Sequence, residues 1–290
     1  MSIRFHCRWE EFLNRAEKVR LLAFDLDDTL LNSDKEISSR NKAAIQMVRQ
    51  RGIAVTICTA RNWNLTQYYA RQLKIDGFYS ATSGCQLVDA GRGELISATG
   101  LVPSECVALI RYCEKIGAAY SLACQSGGYI SPSVPPGSLN RRYNQKAATM
   151  GLPMVELRPL YDPCILEGDT VYKIIIHDAG AKECEQLQKY IAENGPSMQS
   201  MVTSKGIVNV FAAGRNKGTG LLEVCGKMGI PPENTCAFGD FESDVPMFHA
   251  AGLSVAMGNA VPEVQREADA VTGYANENGV ADMLEACFLG

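Results

Sequence analysis

From Arg20 to Tyr79 the chain alternates between continuous apolar runs and segments with helical spacing. "RLLAFDL" is apolar until its aspartates, and "SSRNKAAIQMVRQRG" spaces its apolar residues for a helix that starts at serine and stops at glycine. "IAVTICT" is a second apolar run, "NWNLTQYYARQLKI" a second helix and "GFYSAT" a third, shorter strand. Strands that are apolar on both faces and alternate with helices predict a parallel sheet covered on both sides. With right-handed crossovers this is a doubly wound α/β layer.

The same rhythm returns near the C-terminus. "NKGTGLLEVCGKMG" predicts a helix, "NTCAFGD" a strand, "SDVPMFHAAG" a helix and "LSVAMG" a strand, with "AVPEVQREA" and "NGVADMLEACF" as closing helices. The middle has a different pattern. "QLVDAGRGELISA" predicts a hairpin around residues 90–93, "TVYKIIIHD" and "GIVNVFAAG" predict strands, and "AKECEQLQKYIAENG" a helix. "SPSVPPGS", Ser131 to Ser138, is a loop in this region. The expected layout is a split core, residues 20–85 and 213–290, with an α+β insert at 86–212. Residues 1–19 form a helical extension whose packing face would be Phe5, Trp9, Phe12 and Leu13.

The chain of 290 residues, 46% hydrophobic, suits one large domain or two modest ones. Lys and Arg total 28 against 32 Asp and Glu, so 28 − 32 leaves a net charge of −4 and no electrostatic footprint for nucleic acid. No apolar stretch reaches the roughly 18 residues that a membrane span needs, and the charged N-terminus has no signal-like apolar core. The 11 cysteines are scattered without a C-x-x-C pair and the 3 histidines are far apart, which points to reduced, buried thiols in a cytoplasmic protein rather than to a zinc site.

The charge is concentrated where the first strand ends. "LLAFDLDDTLLN" puts Asp25, Asp27 and Asp28 directly after the apolar run, and in open α/β sheets ligands bind beyond such strand ends. Near-extended backbone would aim Asp25 and Asp27 the same way, a repulsive arrangement that persists only if a cation neutralises it. Asp28 suits a turn or a helix cap. "AFGDFESDVPM" adds Asp240 at a second strand end, with Glu242 and Asp244 following; Asp244 also suits the first turn of a helix. Such a small, oxygen-only set suits Mg²⁺ together with a substrate phosphate. Lys217 opens a helix, where the macrodipole disfavours a cation unless negative charge faces it. Thr59 closes the run "IAVTIC" with a hydroxyl.

The set Asp25-Leu26-Asp27-Asp28-Thr29, Thr59, Lys217 and Gly239-Asp240 with Asp244 resembles the four motifs of the haloacid dehalogenase-like superfamily, and most closely its Cof-type phosphatases. The resemblance implies a Rossmann-like core with a cap inserted after the third core strand. It implies Asp25 as nucleophile and Mg²⁺ ligand, and Asp27 as general acid and base with its carbonyl on the metal. It further implies Thr59, Ala60 and Lys217 around the phosphoryl oxygens, Asp240 as a direct metal ligand with Asp244 behind it or bound to the metal through water, and Asn259 near the phosphate. Three positions depart from the family pattern: Ala60 in the usual Thr-Gly-Arg, Ser243 where an Asn precedes the last Asp, and Ser83-Gly84-Cys85 in place of Asn-Gly-Ala.

The implied activity is Mg²⁺-dependent hydrolysis of a small phosphomonoester, a sugar phosphate or related metabolite, through an aspartyl-phosphate. As acid in the first step Asp27 needs a raised pKa, which burial beside Asp25 would supply. The cap is expected to close over the core, and Arg141, Arg142 and Lys146 either meet a second anionic group or form an exposed basic helix face. The alternatives are a phosphomutase or phosphotransferase on the same fold, and a non-catalytic phospholigand-binding regulator. The sequence does not decide between monomer and homodimer.

Overall fold

The computed structural model describes residues 3–6, 9–135, 139–202 and 206–289, so Cys7 and the last three positions of the loop Ser131–Ser138 lie outside the described residues. By their internal contacts Met1–Ser97 and Asn216–Gly290 form one compact unit and Ala98–Arg215 another.

The first unit opens with β1 (Arg4–Phe5), α1 (Trp9–Ala16), β2 (Leu21–Phe24), α2 (Ser39–Gln50), β3 (Ala54–Ile57), α3 (Trp63–Gln72), β4 (Phe78–Ala81), β5 (Gln86–Asp89) and β6 (Glu94–Ala98). All four residues of β2 are fully buried, as a strand covered on both faces requires. Ser38 caps α2, its hydroxyl accepting from the Asn41 amide at 3.1 Å.

Two expectations are corrected here. The N-terminal segment is not one helix: Arg4 and Phe5 pair antiparallel with a core strand, and among the described residues of the segment the helix is Trp9–Ala16. The Phe5 ring still packs edge-on to Trp9 and Phe12, at centroid distances of 4.7 and 5.0 Å, but from a strand that covers an otherwise open sheet edge. The third apolar run, β4, does not extend the parallel ladder. It pairs antiparallel with β5 in a separate three-stranded sheet, and meets the β3 segment through one parallel Cys58–Ser80 bridge, the Thr59 amide's bond to the Ser80 carbonyl at 3.1 Å and the Thr56 hydroxyl's bond to the Phe78 carbonyl at 2.7 Å.

The second unit contains α4 (Pro103–Ile116), β7 (Ala119–Cys124), β8 (Gly127–Ile130), α5 (Arg141–Thr149), β9 (Leu157–Pro159), β10 (Val171–His177), α6 (Ala181–Asn194), β11 (Met198–Val202) and β12 (Val208–Ala212). Its six-stranded sheet, ordered β11-β12-β10-β7-β8-β9, is antiparallel except for the β8–β9 pair. Tyr112 of α4 and Tyr190 of α6 stack at 3.9 Å between centroids. Arg141 and Arg142 lie on the exposed side of α5, whose buried side is Tyr143 and Ala147.

The chain re-enters the first unit through α7 (Lys217–Met228), β13 (Thr235–Gly239), α8 (Val245–Ala250), β14 (Leu253–Ala256), α9 (Pro262–Arg266), β15 (Ala270–Val271) and α10 (Gly279–Cys287). The main sheet runs β1-β15-β14-β13-β2-β3 and is parallel apart from β1. From β2 the chain moves outward to β3. On its return it fills the other side through β13, β14 and β15, so the winding reverses between β2 and β13. At such a reversal the loops leave the carboxyl ends of neighbouring strands in opposite directions and open a crevice. Phe24 and Phe238, the paired last residues before that crevice, touch at 4.8 Å between ring centroids and close its floor.

Candidate active site

Four strand ends, those of β3, β2, β13 and β14, lie side by side at the crevice. The Asp25 amide donates to the Phe238 carbonyl at 3.0 Å, the Cys58 amide to Phe24 at 2.9 Å and the Met257 amide to Gly239 at 2.9 Å. Asp25 therefore stands between Thr59 on one flank and Asp240 on the other. After Asp25 the chain turns sharply: the Leu26 carbonyl accepts from the amides of Leu30 and Leu31, and Asp28 sits in the left-handed region at φ 57°, which Asp tolerates better than most side chains.

The buried Lys217 ammonium is the hub. It lies 2.8 Å from the Asp25 carboxylate and 2.7 Å from that of Asp244. Asn216 and Thr219 form a reciprocal capping box that fixes the start of α7 and hence the lysine's position. Burial alone would lower the Lys217 pKa, but Asp244 and then Asp25 outweigh it and hold the amine firmly protonated. Asp244, fully buried, uses its other oxygen to accept from the Asp240 and Phe241 amides, both at 3.0 Å, so it shapes the loop after β13 as well as holding the lysine.

Asp240 accepts from the Thr29 hydroxyl at 2.7 Å. Burial and the charge of Asp244 push its carboxyl up to about 7. Burial also raises the Asp25 carboxyl well above the ordinary range; Lys217 opposes this, and Asp244, Asp240 and Asp27 add to it. Carboxylate oxygens of Asp25, Asp240 and Asp244 all lie within 4.8 Å of one another. When all three are ionised, three carboxylates against one ammonium leave two negative charges in excess (3 − 1) in a largely buried, all-oxygen setting, and burial together with that excess raises the Asp25 and Asp240 carboxyls. That donor set fits Mg²⁺, and a divalent cation would cancel the excess.

Asp27 differs from what the sequence suggests. Its carboxylate is gripped by Arg61 through two 2.7 Å hydrogen bonds and by Lys35 at 2.9 Å. Burial favours a higher pKa, but the Arg61 bonds and charge, reinforced by Lys35, outweigh it and hold Asp27 well below the usual carboxylate range. The expected raised pKa is therefore absent in this conformation. Arg61 and Lys35 are the site residues that sequence reasoning missed. The signal for Arg61 was its place two residues after Thr59; Lys35 carried none, because it reaches Asp27 only through the turn that starts at Asp28.

The remaining candidates fall in place around this centre. Thr59 is buried, its hydroxyl accepting from the Arg61 amide at 3.2 Å, with Ala60 between them. Asn259 is a brace: its side chain donates to the Asp28 carbonyl at 2.7 Å and accepts from the Ala275 amide at 2.9 Å, so it holds the loop that follows Asp25. All ten cysteines among the described residues are free thiols, eight of them buried. Among the described residues no helix is long and apolar enough to cross a membrane.

Asp25 and Asp240, at the two strand ends that flank the sheet's reversal point, are thus tied into one polar cluster, Asp25 by Lys217 and Asp240 by the Asp244 carboxylate that Lys217 also holds. The family model described as haloacid dehalogenase-like hydrolase matches residues 22–284. The chain is 26% identical over 292 residues to the 5-amino-6-(5-phospho-D-ribitylamino)uracil phosphatase YwtE of Bacillus subtilis, covering 94% of this chain and 99% of that protein. It is 27% identical over 270 residues to the HMP-PP phosphatase of Cronobacter sakazakii, covering 91% and 94%. The crystal structure of a haloacid dehalogenase-like hydrolase from Bacteroides thetaiotaomicron superposes with a TM-score of 0.78 at 23% identity, over 93% of this chain and all of that one (100%). The chain belongs to the haloacid dehalogenase-like hydrolases, among their Cof-type phosphatases.

Lys217→Met keeps the volume but leaves Asp25 and Asp244 buried without their counter-charge. The expected loss is about 3–5 kcal/mol of stability by urea denaturation, and a variant within 1 kcal/mol of wild type contradicts the hub role.

Proposed function

We propose that this protein is a Mg²⁺-dependent phosphatase that hydrolyses a small phosphomonoester, a sugar phosphate or related metabolite, through an aspartyl-phosphate on Asp25, in the cytoplasm. The observation that carries the reading is the Asp25 carboxylate, buried at a strand end and held 2.8 Å from the Lys217 ammonium within a cluster short of positive charge. Two relatives whose names declare phosphatase activity on small phosphorylated metabolites support it.

In the first displacement an Asp25 oxygen attacks phosphorus, and the P–O bond to the alcohol breaks as the leaving oxygen takes a proton from Asp27. In the second, Asp27 removes a proton from water as that water attacks the phosphorus, freeing Asp25 and releasing phosphate. Lys217 keeps Asp25 oriented and, with Thr59 and the backbone at Ala60, offsets the charge on the transferring oxygens. Both Asp27 oxygens are held by Arg61 in this structure, so its proton transfer follows the breaking of that ion pair. Asp25 and Asp240 would hold Mg²⁺, with Asp244 supporting them from behind Lys217. When bound, the ion polarises the phosphoryl group and neutralises the carboxylate excess.

Asp25→Asn can still accept from Lys217, so it is expected to fold as wild type while kcat for a phosphomonoester falls at least about 10³-fold; undiminished turnover refutes the nucleophile assignment. Millimolar Mg²⁺ is expected to raise the melting temperature of the wild type, since an ion bound only by the folded state stabilises it. Asp240→Asn should abolish that rise, and an equal rise in both proteins contradicts the site.

A further inference from the structure

Beyond β4 the backbone does something expensive. Thr82 and Ser83 both adopt left-handed conformations, with φ of 52° and 53°, and Gly84 follows at φ 87°. Two non-glycine residues in that region, one of them β-branched, are held there only by their surroundings. The Thr82 amide donates to Arg61 at 2.7 Å and the Ser83 amide to Thr59 at 3.0 Å. On the other side Gly84 lies so close to Asn216 that a Cβ would run into its carbonyl. The turn is thus pressed between the segment bearing Thr59 and Arg61 and the start of the helix bearing Lys217.

This strained turn and two residues beside it, Gln86 at the start of β5 and Asn62 before α3, carry buried polar atoms without hydrogen-bond partners. Ser83 is 2% exposed, yet its hydroxyl has none. Gln86, 1% exposed, accepts through Oε1 from the Trp63 amide at 3.1 Å and from the Thr82 hydroxyl, while its Nε2 has no partner. The Trp63 N–H fixes that amide's orientation, because only the carbonyl oxygen can accept from it. Asn62 stands at the N-cap of α3 but does not cap it, and its buried Oδ1 is also unpartnered. A donor, an acceptor and a hydroxyl are therefore left unmet on one hydrogen-bonded frame next to Thr59. Buried polar groups are satisfied almost everywhere in folded proteins, so exceptions on a strained segment point to a ligand.

We propose that Ser83, Gln86 and Asn62 are specificity-determining residues that hydrogen-bond neutral hydroxyl groups on the leaving alcohol of the phosphomonoester. An alcohol both donates and accepts, which matches Asn62 Oδ1 and Gln86 Nε2 as a pair, with Ser83 able to play either part. None of the three is ionisable, so the group they take is a hydroxyl rather than a second anion. The inference rests on the phosphatase reading and adds to it the chemistry of the leaving group.

The test compares kcat/KM, with Mg²⁺, for phenyl phosphate, whose leaving group offers no further hydroxyl, and for ribitol 5-phosphate and its deoxy analogues, in wild type, Ser83→Ala and Gln86→Met. Wild type is expected to favour ribitol 5-phosphate over its least favoured deoxy analogue by about tenfold or more, because unmet site groups penalise the analogue. Each variant should reduce that ratio about fivefold or more. Gln86→Met also removes an acceptor that steadies α3, so Ser83→Ala is the decisive variant. Its lost hydroxyl bonds nothing in the protein, and its melting temperature should equal or exceed that of wild type. Phenyl phosphate turnover without any preference among the other esters overturns the inference and leaves the phosphatase reading standing. An unchanged ratio in Ser83→Ala, or a lowered melting temperature with the ratio intact, overturns it as well. Turnover of none of these esters takes down both.

Discussion

The Lys217 ammonium, held between the carboxylates of Asp25 and Asp244 at 2.8 and 2.7 Å, is the contact on which the rest of the site depends. A lysine in the first turn of a helix works against the helix dipole, and burying it adds a desolvation cost. Two carboxylates in direct contact offset both. Asp244 in turn spends its second oxygen on the loop after β13, so the lysine, the loop and Asp240 are positioned together. One ammonium cannot balance three neighbouring ionised carboxylates, and in the proposed mechanism that excess negative charge would draw a divalent cation to the point where phosphorus sits.

Much of this was legible in the sequence because it depends on strand ends. An apolar run marks where a buried strand stops, so Asp25 and Asp240 could be placed at one edge of a sheet from pattern alone. Lys217 was legible from its conflict with the helix dipole. The partners of Asp27 were not, because they depend on a backbone turn: with Asp28 at φ 57° and Lys35 at φ 56°, the chain folds back and brings Lys35 and Arg61 onto one carboxylate. Periodicity carries no information about such turns. The same blindness explains why β4 was expected to join the parallel ladder. Its apolar pattern suits either sheet, and the choice is made by pairing with β5. In the second unit β8 and β9 escaped notice because they are short, and glycine opens one while proline closes the other.

Two kinds of constraint meet at the carboxyl edge of the sheet. Charge balance fixes the acidic cluster, where Lys217, the Thr29 hydroxyl and the amides of Asp240 and Phe241 orient the carboxylates. Conformational strain fixes the turn at Thr82 and Ser83, where buried polar atoms stay unpaired at the expense of stability. The first suits chemistry common to many esters, since it concerns only the phosphoryl group. The second suits discrimination among esters, since unmet hydrogen-bonding groups penalise a partner that lacks the matching ones. Arg61 links the two, binding Asp27 through its side chain and the strained turn through its carbonyl.

The central claim, that acids distant in the chain surround one divalent ion beside an Asp25 oxygen able to bond phosphorus, is tested most directly by a crystal structure of the protein with Mg²⁺ and beryllium fluoride. The account expects beryllium joined to Asp25, with Mg²⁺ bound by Asp25 and Asp240 and Lys217 still in contact with Asp25. Beryllium on Asp27, or the metal bound away from this cluster, would contradict it.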